Sequence, residues 1–201
     1  SYPAYATGGF TGAVNAVWML SRTGFAISQE SHQNLKDALL AMAFYCYGDK
    51  FPLAMSGRHP DGKGGLIPEH YYRLAVAGSP DGKAAIDTLL AGAYRYLLAP
   101  GVSRRHNCII HEYFETPNKN EWNLICNGLY KKIGPGNGTR TFGFNCSMSH
   151  RFAGNLVTFA GHSRYLWAAE IYNQANHYGR YLTHGSMQIS GPADPEVASM
   201  F

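Results

Sequence analysis

The 201-residue sequence predicts an α+β chain in which helices come first and antiparallel strands follow. Two observations predict this class. Apolar residues recur at helical spacing up to about residue 97, whereas after Pro100 short aromatic and β-branched runs alternate with Gly, Asn and Pro. Helices followed by strands are typical of α+β folds or of two separate domains. Because the run 134–138 (GPGNG) is the clearest break, we predict a helical domain over residues 1–134 and a β domain over 135–201.

Four helices are predicted in the first hundred residues, at about 10–20, 28–48, 68–78 and 79–100. In the second helix apolar residues recur at helical spacing behind Ser28, whose hydroxyl can accept a hydrogen bond from the first turn. Pro68 suits the first turn of the third helix, and Gly78 suits its end. In the fourth helix the spacing places both Leu89 and Leu90 on the inward face.

Four strands are predicted after the break, at 139–145, 155–160, 165–172 and 178–189. A Gly/Pro-rich loop, residues 51–66, separates the second and third helices. The strands are too few for a self-sufficient sandwich, and the unlike helices form no obvious closed bundle. We therefore expect the chain to be a central piece of a longer protein, cut through both domains.

The composition excludes some classes of protein and favours one class of partner. Aromatic residues make up 13% and charged residues only 15%, which argues against a disordered chain. Because no apolar run reaches the ~18–20 residues of a membrane helix, no membrane span is expected. Between Trp122 and Ala193 six Lys or Arg residues accompany one acid, Glu170. This bias suits nucleic acid or a uronate or sulfate polysaccharide, although an ordinary basic surface explains the charge alone equally well.

Four clusters of aromatic, cationic and carboxylate side chains are candidates for chemistry: Tyr2-Pro3-Ala4-Tyr5, Gly57-Arg58-His59-Pro60, Ser149-His150-Arg151, and the segment 170–181. Taken singly, each has an ordinary explanation, such as a packed surface ring or a loop anchor. As a set they combine aromatic platforms with cations and a carboxylate, which suits sugar binding. The four cysteines form no CxxC pair, so buried thiols are expected, and no dense carboxylate cluster indicates Ca²⁺.

These clusters follow one another as they do in the chondroitin sulfate ABC lyases of polysaccharide lyase family eight, which the sequence resembles over nearly its whole length. The most specific stretches are LAMSGRHP at 53–60 and EIYNQANHYGRYLTHGSMQI at 170–189. The resemblance implies the C-terminal part of an α/α-toroid followed by the first strands of an antiparallel β-sandwich. It also implies a lyase that cleaves chondroitin or dermatan sulfate by β-elimination at the uronic acid.

The resemblance assigns roles to eight residues. Tyr5 matches the general base and acid, Arg58 an arginine that lowers the pKa of the tyrosine, and Glu170 a glutamate that orients its partners. Substrate binding is expected from His59, His150, Arg151, Asn173 and Arg180. The family's catalytic histidine precedes the Tyr-Pro-x-Tyr motif by a few residues, so we expect it, and the asparagine that grips the uronate, upstream of Ser1.

Several alternatives stay open at this point. The chain could serve a lyase for hyaluronan or another uronate polymer, or a non-catalytic glycan-binding relative. Nucleic-acid binding is a weaker hypothesis because no nucleic-acid motif occurs. The elimination requires no metal, and whether the full protein has a structural or activating divalent cation stays open. Since polysaccharides do not cross membranes readily, a periplasmic or secreted bacterial protein is expected.

Overall fold

The computed structural model describes residues 3–52, 55, 65–98, 125, 129–166, 184–192 and 194–200. Four helices come first: α1 (Pro3–Leu20), α2 (Gln29–Tyr45), α3 (Pro68–Ala77) and α4 (Thr88–Leu97). Five strands follow: β1 (Gly138–Phe142), β2 (Ser147–Phe152), β3 (Asn155–Ala160), β4 (Ser186–Gly191) and β5 (Asp194–Met200). The α+β class predicted from the sequence is confirmed. Among the described helices, none is both long and apolar enough to cross a membrane.

The chain divides into two compact units. One contains residues 1–8, 42–66 and 136–201, and the other contains residues 9–41 and 67–135. The first unit therefore groups residues 42–66 with the sheet, which a single cut at residue 134 does not anticipate. The division into a helical catalytic domain and a sandwich domain stays a prediction.

The predicted start of α1 was late, whereas the predicted cap of α2 is confirmed. Pro3 occupies the first turn of α1, a position where its fixed φ and missing N–H carry no penalty. Glycines follow closely in this helix, and each costs about 1 kcal/mol relative to Ala without ending it. Ser28 Oγ accepts a hydrogen bond from Ser31 N at 3.2 Å. Leu39 and Met42 are buried, and α2 ends at Tyr45 rather than at residue 48.

Helix α3 has the predicted limits. Pro68 lies in the first turn, and Gly78 ends the helix with φ +69°, a conformation that favours glycine. A Cβ on Gly78 would also stand 2.9 Å from the Ala85 carbonyl oxygen. The buried Tyr71 donates its hydroxyl to the Leu39 carbonyl at 2.7 Å. The local signals at both ends and the burial of eight of its ten residues therefore both favour this helix.

Helix α4 begins at Thr88, nine residues after the predicted start. Ser79 Oγ donates to the Asp81 carboxylate at 2.5 Å, and this side-chain bond stabilises a turn instead of a first helical turn. The true cap is Asp87, whose carboxylate accepts from Leu89 N and Leu90 N at 3.0 Å each. Leu90 is buried, but Leu89 is 37% exposed, so the prediction that Leu89 faces inward is wrong.

The strands form one five-stranded antiparallel sheet in the order β1-β2-β3-β4-β5. Strand β3 has the predicted limits, whereas β2 and β5 were not predicted. Ala153 and Gly154, both with positive φ, connect β2 to β3 in a two-residue turn. One sheet face is buried and largely polar, with Ser149, Arg151 and Thr158 all buried. The predicted strands 165–172 and 178–189 fall partly outside the described residues.

Candidate active site

Three of the eight predicted site residues belong to the described part of the chain, namely Tyr5, His150 and Arg151. The other five, Arg58, His59, Glu170, Asn173 and Arg180, lie outside the described residues. All three described residues belong to the unit that contains the sheet. The described part of the site therefore consists of these three side chains and of the residues that flank the two segments that carry the other five.

Tyr5 lies in the first turn of α1 and its side chain is 55% exposed. Side chains of a helix lean toward its N-terminus, where the unsatisfied N–H groups carry a partial positive charge. A negative charge in the first turn is stabilised by typically 0.3–1 kcal/mol. The position therefore leaves the phenol of Tyr5 accessible to a large substrate.

His150 and Arg151 are neighbours in β2 and point to opposite faces of the sheet. His150 is exposed, and its Nδ1 lies 2.7 Å from Thr139 Oγ1 on β1. This hydrogen bond fixes the ring and leaves the other ring nitrogen for a further partner. His150 thus occupies a position from which it can contact a substrate.

Arg151 is only 6% exposed, and its guanidinium binds the end of α2. Nε donates to the Phe44 carbonyl at 2.5 Å, and Nη2 donates to the carbonyls of Ala43, at 3.4 Å, and Cys46. The last carbonyls of a helix have no partner within the helix and carry a partial negative charge, so a buried cation there is well placed. Arg151 therefore has a structural role at this helix end, and the substrate contact expected from the sequence stays a prediction.

Aromatic rings pack around the same helix end. The Arg140 guanidinium carbon lies 4.4 Å from the centroid of the Phe44 ring, and that of Arg151 lies 5.8 Å from it. The Tyr45 ring meets Phe142 edge-on at a centroid distance of 5.3 Å. Burial raises the pKa of Tyr45, so its hydroxyl keeps its proton and is unsuited to act as a base.

Cys46 at the same position is a free and fully buried thiol. Burial raises its pKa well above the usual value, and this effect outweighs the opposing influence of Arg151. Since the thiolate is the nucleophile, Cys46 is an inert packing residue. The sequence expectation of buried thiols is met here, while Cys146 is a free thiol that is half-buried.

A tight turn after α2 forms the base of the loop that carries Arg58 and His59, here named the Arg58 loop (residues 51–66). Lys50 is paired with Gly65 in an isolated antiparallel bridge. Leu66 N donates to the Asp49 carbonyl at 2.7 Å. The residues that bound the loop on its two sides are thus held together by backbone hydrogen bonds.

Gly65 allows the two backbone segments at the base of the Arg58 loop to approach each other closely. A Cβ at this position would lie 2.5 Å from the Asp49 carbonyl oxygen, whereas real Cβ atoms essentially never come within 3.0 Å of such a neighbour. Any larger residue would push the two sides of the loop base apart. In the sequence this glycine is indistinguishable from ordinary loop composition, because the contact depends on the fold.

Two histidines that were not predicted as site residues flank the segment that carries Glu170, Asn173 and Arg180. The rings of His162 and His184 lie 4.5 Å apart with their planes tilted by 30°. Their sequence signal is that both lie in the basic stretch between positions 122 and 193.

Comparison with known proteins defines the class. The family model described as "Lyase, catalytic" matches residues 1–104, more than half of the chain, and the chain belongs to this family. Its relatives include a chondroitin sulfate ABC exolyase of Bacteroides thetaiotaomicron, 46% identical over 94% of this chain and 19% of the relative. They also include two proteins of Proteus vulgaris. One is a chondroitin sulfate ABC exolyase, 34% identical over 96% of this chain and 18% of the relative. The other is a chondroitin sulfate ABC endolyase, 29% identical over 94% of this chain and 17% of the relative.

The chain therefore spans about a fifth of the length of the curated relatives it matches. The resemblance to chondroitin sulfate ABC lyases that the motifs indicated is confirmed.

Proposed function

We propose that the protein is a glycosaminoglycan lyase that cleaves chondroitin and dermatan sulfate by β-elimination at the uronic acid. The observation that carries this proposal is the 46% identity to a chondroitin sulfate ABC exolyase over 94% of the chain. Sulfated polysaccharides also suit the strong excess of basic over acidic residues between positions 122 and 193.

In the proposed reaction, the Tyr5 phenolate removes the proton from C5 of the uronate. The electron pair of that C–H bond forms the C4=C5 double bond, and the bond from C4 to the glycosidic oxygen breaks. The Tyr5 hydroxyl then gives its proton to the departing oxygen, so the tyrosine ends in its starting state. The exposure of Tyr5 in the first turn of α1 supports this role, because a base that acts on a polymer must be accessible to it.

The C5 proton is only weakly acidic, so the charge that develops on the uronate carboxylate must be stabilised by groups already in place. In this proposal Arg58 lowers the pKa of Tyr5 and holds the bridging oxygen, and Glu170 orients neighbouring groups. His59, Asn173 and Arg180 contact the substrate. His150 joins them, because it is exposed and its ring is fixed by Thr139. The family's histidine and its uronate-binding asparagine would complete the site from outside this sequence.

The finer fold assignment is also a proposal. The sheet face opposite Arg151 carries apolar side chains that are only partly covered, among them Phe159, 38% exposed, and Ile189, 40% exposed. We propose that residues 135–201 are the start of an antiparallel β-sandwich and that residues 1–134 are the C-terminal part of an α/α-toroid. A polymeric substrate supports a periplasmic or secreted location.

The test is to incubate the full-length protein separately with chondroitin sulfate, dermatan sulfate and hyaluronan and to follow the ultraviolet absorbance of the unsaturated uronate. We expect the absorbance to rise fastest with the two sulfated galactosaminoglycans. A faster rise with hyaluronan would favour the alternative uronate lyase. Binding to chondroitin sulfate without any absorbance change, in a preparation shown to be folded by circular dichroism, would identify a non-catalytic glycan-binding protein instead.

A further inference from the structure

We infer that a cleft in the unit of residues 9–41 and 67–135 binds a small hydroxylated carboxylate through the ring of His32 and the guanidinium of Arg22. The cleft lies between the last turn of α1, the loop that follows it, the start of α2 and the end of α3. The inference goes beyond the proposed function and does not depend on it, because none of the eight predicted site residues lines this cleft.

The size of the cleft limits the ligand. It holds about 250 Å³ of space, its open mouth included. Sites for drug-sized ligands hold roughly 300–1,000 Å³, so this cleft suits a ligand of one small ring or less. Its wall is mainly apolar and includes Val17, Ile27, Ala77 and Pro80, which can pack against a short carbon skeleton.

A buried ring nitrogen without a partner is the observation that points to a ligand. His32 is only 4% exposed, and its Nε2 is buried with no hydrogen-bond partner among the described residues. The ring has a hydrogen bond to the backbone of Gly78, which must therefore use Nδ1. Because the Gly78 N–H already donates to the Ala75 carbonyl, Nδ1–H donates to the Gly78 carbonyl. Buried polar atoms are rarely left unpaired in folded proteins, so Nε2 is the expected contact for a ligand in the cleft.

The protonation state of His32 defines which ligand group Nε2 can bind. Burial lowers the pKa of the ring, and this effect outweighs the opposing influence of Asp87. The Asp87 carboxylate is itself paired with Lys36 Nζ at 2.5 Å. The ring is therefore neutral at neutral pH, and with its proton on Nδ1 it presents a lone pair at Nε2. Such a nitrogen accepts a hydrogen bond from an O–H or N–H group.

Arg22 defines the charge of the ligand. It lines the cleft from the loop after α1, and its Nη2 donates to the Val76 carbonyl at 3.4 Å, which holds the guanidinium near the end of α3. Among the described residues that line the cleft, none is acidic. A guanidinium matches the geometry of a carboxylate, so the anion is placed beside Arg22. A ligand ammonium would also donate to Nε2, but it would find no lining carboxylate to offset its charge, and a hydroxyl is therefore preferred.

The experiment uses lactate, a small molecule that carries a hydroxyl beside a carboxylate, and measures its dissociation constant on the full-length protein by saturation-transfer NMR. Propionate lacks the hydroxyl, and alanine replaces it with an ammonium group at nearly the same size. We expect both to bind at least about 10-fold more weakly than lactate, as for the loss of one hydrogen bond to a charged ligand.

Each other result with these three probes contradicts the inference. Equal binding of propionate would show that Nε2 accepts nothing from the ligand. Tighter binding of alanine would refute the argument from the charge of the lining. Absence of lactate binding would overturn the inference and leave Nε2 to an ordered water.

Two variants locate the binding to this cleft. His32→Phe keeps a ring and removes the acceptor, whereas Arg22→Asn removes the cation and suits the positive φ of 64° at this position. Each should weaken lactate binding about 10-fold or more. Lys131→Gln removes an exposed cation from the same unit outside the cleft, and its dissociation constant should stay within about twofold of the wild type. Equal weakening in Lys131→Gln and Arg22→Asn would mean that only net charge matters and would reject the site.

A further variant keeps the inference testable if His32→Phe does not fold. Ala26 lines the cleft at an exposed position, so Ala26→Leu narrows the cleft without removing a buried group. This variant should lose lactate binding while its circular dichroism and thermal midpoint match those of the wild type. Unchanged lactate binding in a folded Ala26→Leu protein would show that the ligand binds elsewhere.

Discussion

Gly65→Ala is expected to open the base of the Arg58 loop. The new Cβ would stand 2.5 Å from the Asp49 carbonyl oxygen, so the two backbone segments must separate by at least 0.5 Å to reach the 3.0 Å limit of real Cβ contacts. The hydrogen bond from Leu66 N to the same oxygen, now 2.7 Å, lies directly beside this contact and would lengthen. Overpacking of this kind costs about 1–3 kcal/mol.

The local assay is hydrogen exchange of the Leu66 amide, measured by mass spectrometry on peptides that span residues 65–72. A cost of about 1–3 kcal/mol corresponds to exchange that is about 5- to 150-fold faster if opening is local. Lyase activity should fall in the same variant, because Arg58 is carried by the displaced loop.

Gly161→Ala is the matched control. Gly161 also faces a carbonyl oxygen, that of Cys146, but a Cβ there would lie at an ordinary 3.6 Å, and neither glycine has a positive φ. Its own amide donates to the same oxygen at 2.8 Å and serves as the local reporter. We expect exchange of this reporter to be nearly unchanged. Equal acceleration in the two variants, or none in Gly65→Ala, would refute the steric reasoning.

Three further predictions concern the helical unit. Gly78→Ala should lower the free energy of unfolding by about 3–5 kcal/mol, because it adds a collision with backbone carbonyls to the strain of a positive φ. Gly82→Ala, at a glycine with φ +72° and open space around it, should lower it by only about 1–2 kcal/mol. Equal losses of the two variants in urea unfolding would contradict this reasoning. Burial holds the pKa of His70 at about 4, so the native ring stays neutral while the unfolded ring takes up a proton below about pH 6.5. Stability should therefore fall by about 3 kcal/mol from pH 6.5 to 4, and His70→Gln should flatten this dependence if its source is His70. Asp87→Ala removes the cap of α4 together with the ion pair to Lys36, so it should lower the free energy of unfolding by about 2–3 kcal/mol and the thermal midpoint with it. A midpoint equal to that of the wild type would mean that neither contact stabilises the fold.

Helix limits could be predicted from the sequence where the fold follows the local capping signals. Helix α3 could be bounded from the sequence because Pro68 and Gly78 act on the backbone of their own neighbourhood. The start of α4 could not, since the Ser-Pro pair at 79–80 is also a turn signal and the bond from Ser79 to Asp81 decides in favour of the turn. Asp87 has the right chemistry for a cap, but the apolar spacing around it extended the predicted helix too far.

Strand β2 and the role of Arg151 could not be predicted because both depend on distant parts of the chain. The inward residues of β2 are Ser147, Ser149 and Arg151, a polar set that resembles an exposed strand or a loop. The burial of Arg151 follows from the end of α2, which lies more than a hundred residues earlier. The motif Ser149-His150-Arg151 lies on this strand, and only the alternation of strand faces separates the exposed histidine from the buried arginine.

The role of Tyr5 as the base and acid of the elimination is the central claim, and the initial rate of unsaturated uronate formation from chondroitin sulfate tests it most directly. Tyr5→Phe keeps the ring and removes the hydroxyl, so the rate should fall by about 10²- to 10⁴-fold with KM little changed. Tyr165→Phe removes a hydroxyl from a ring that is 80% exposed and should keep the wild-type rate. A Tyr5→Phe protein that forms the unsaturated product as fast as the wild type would contradict the account.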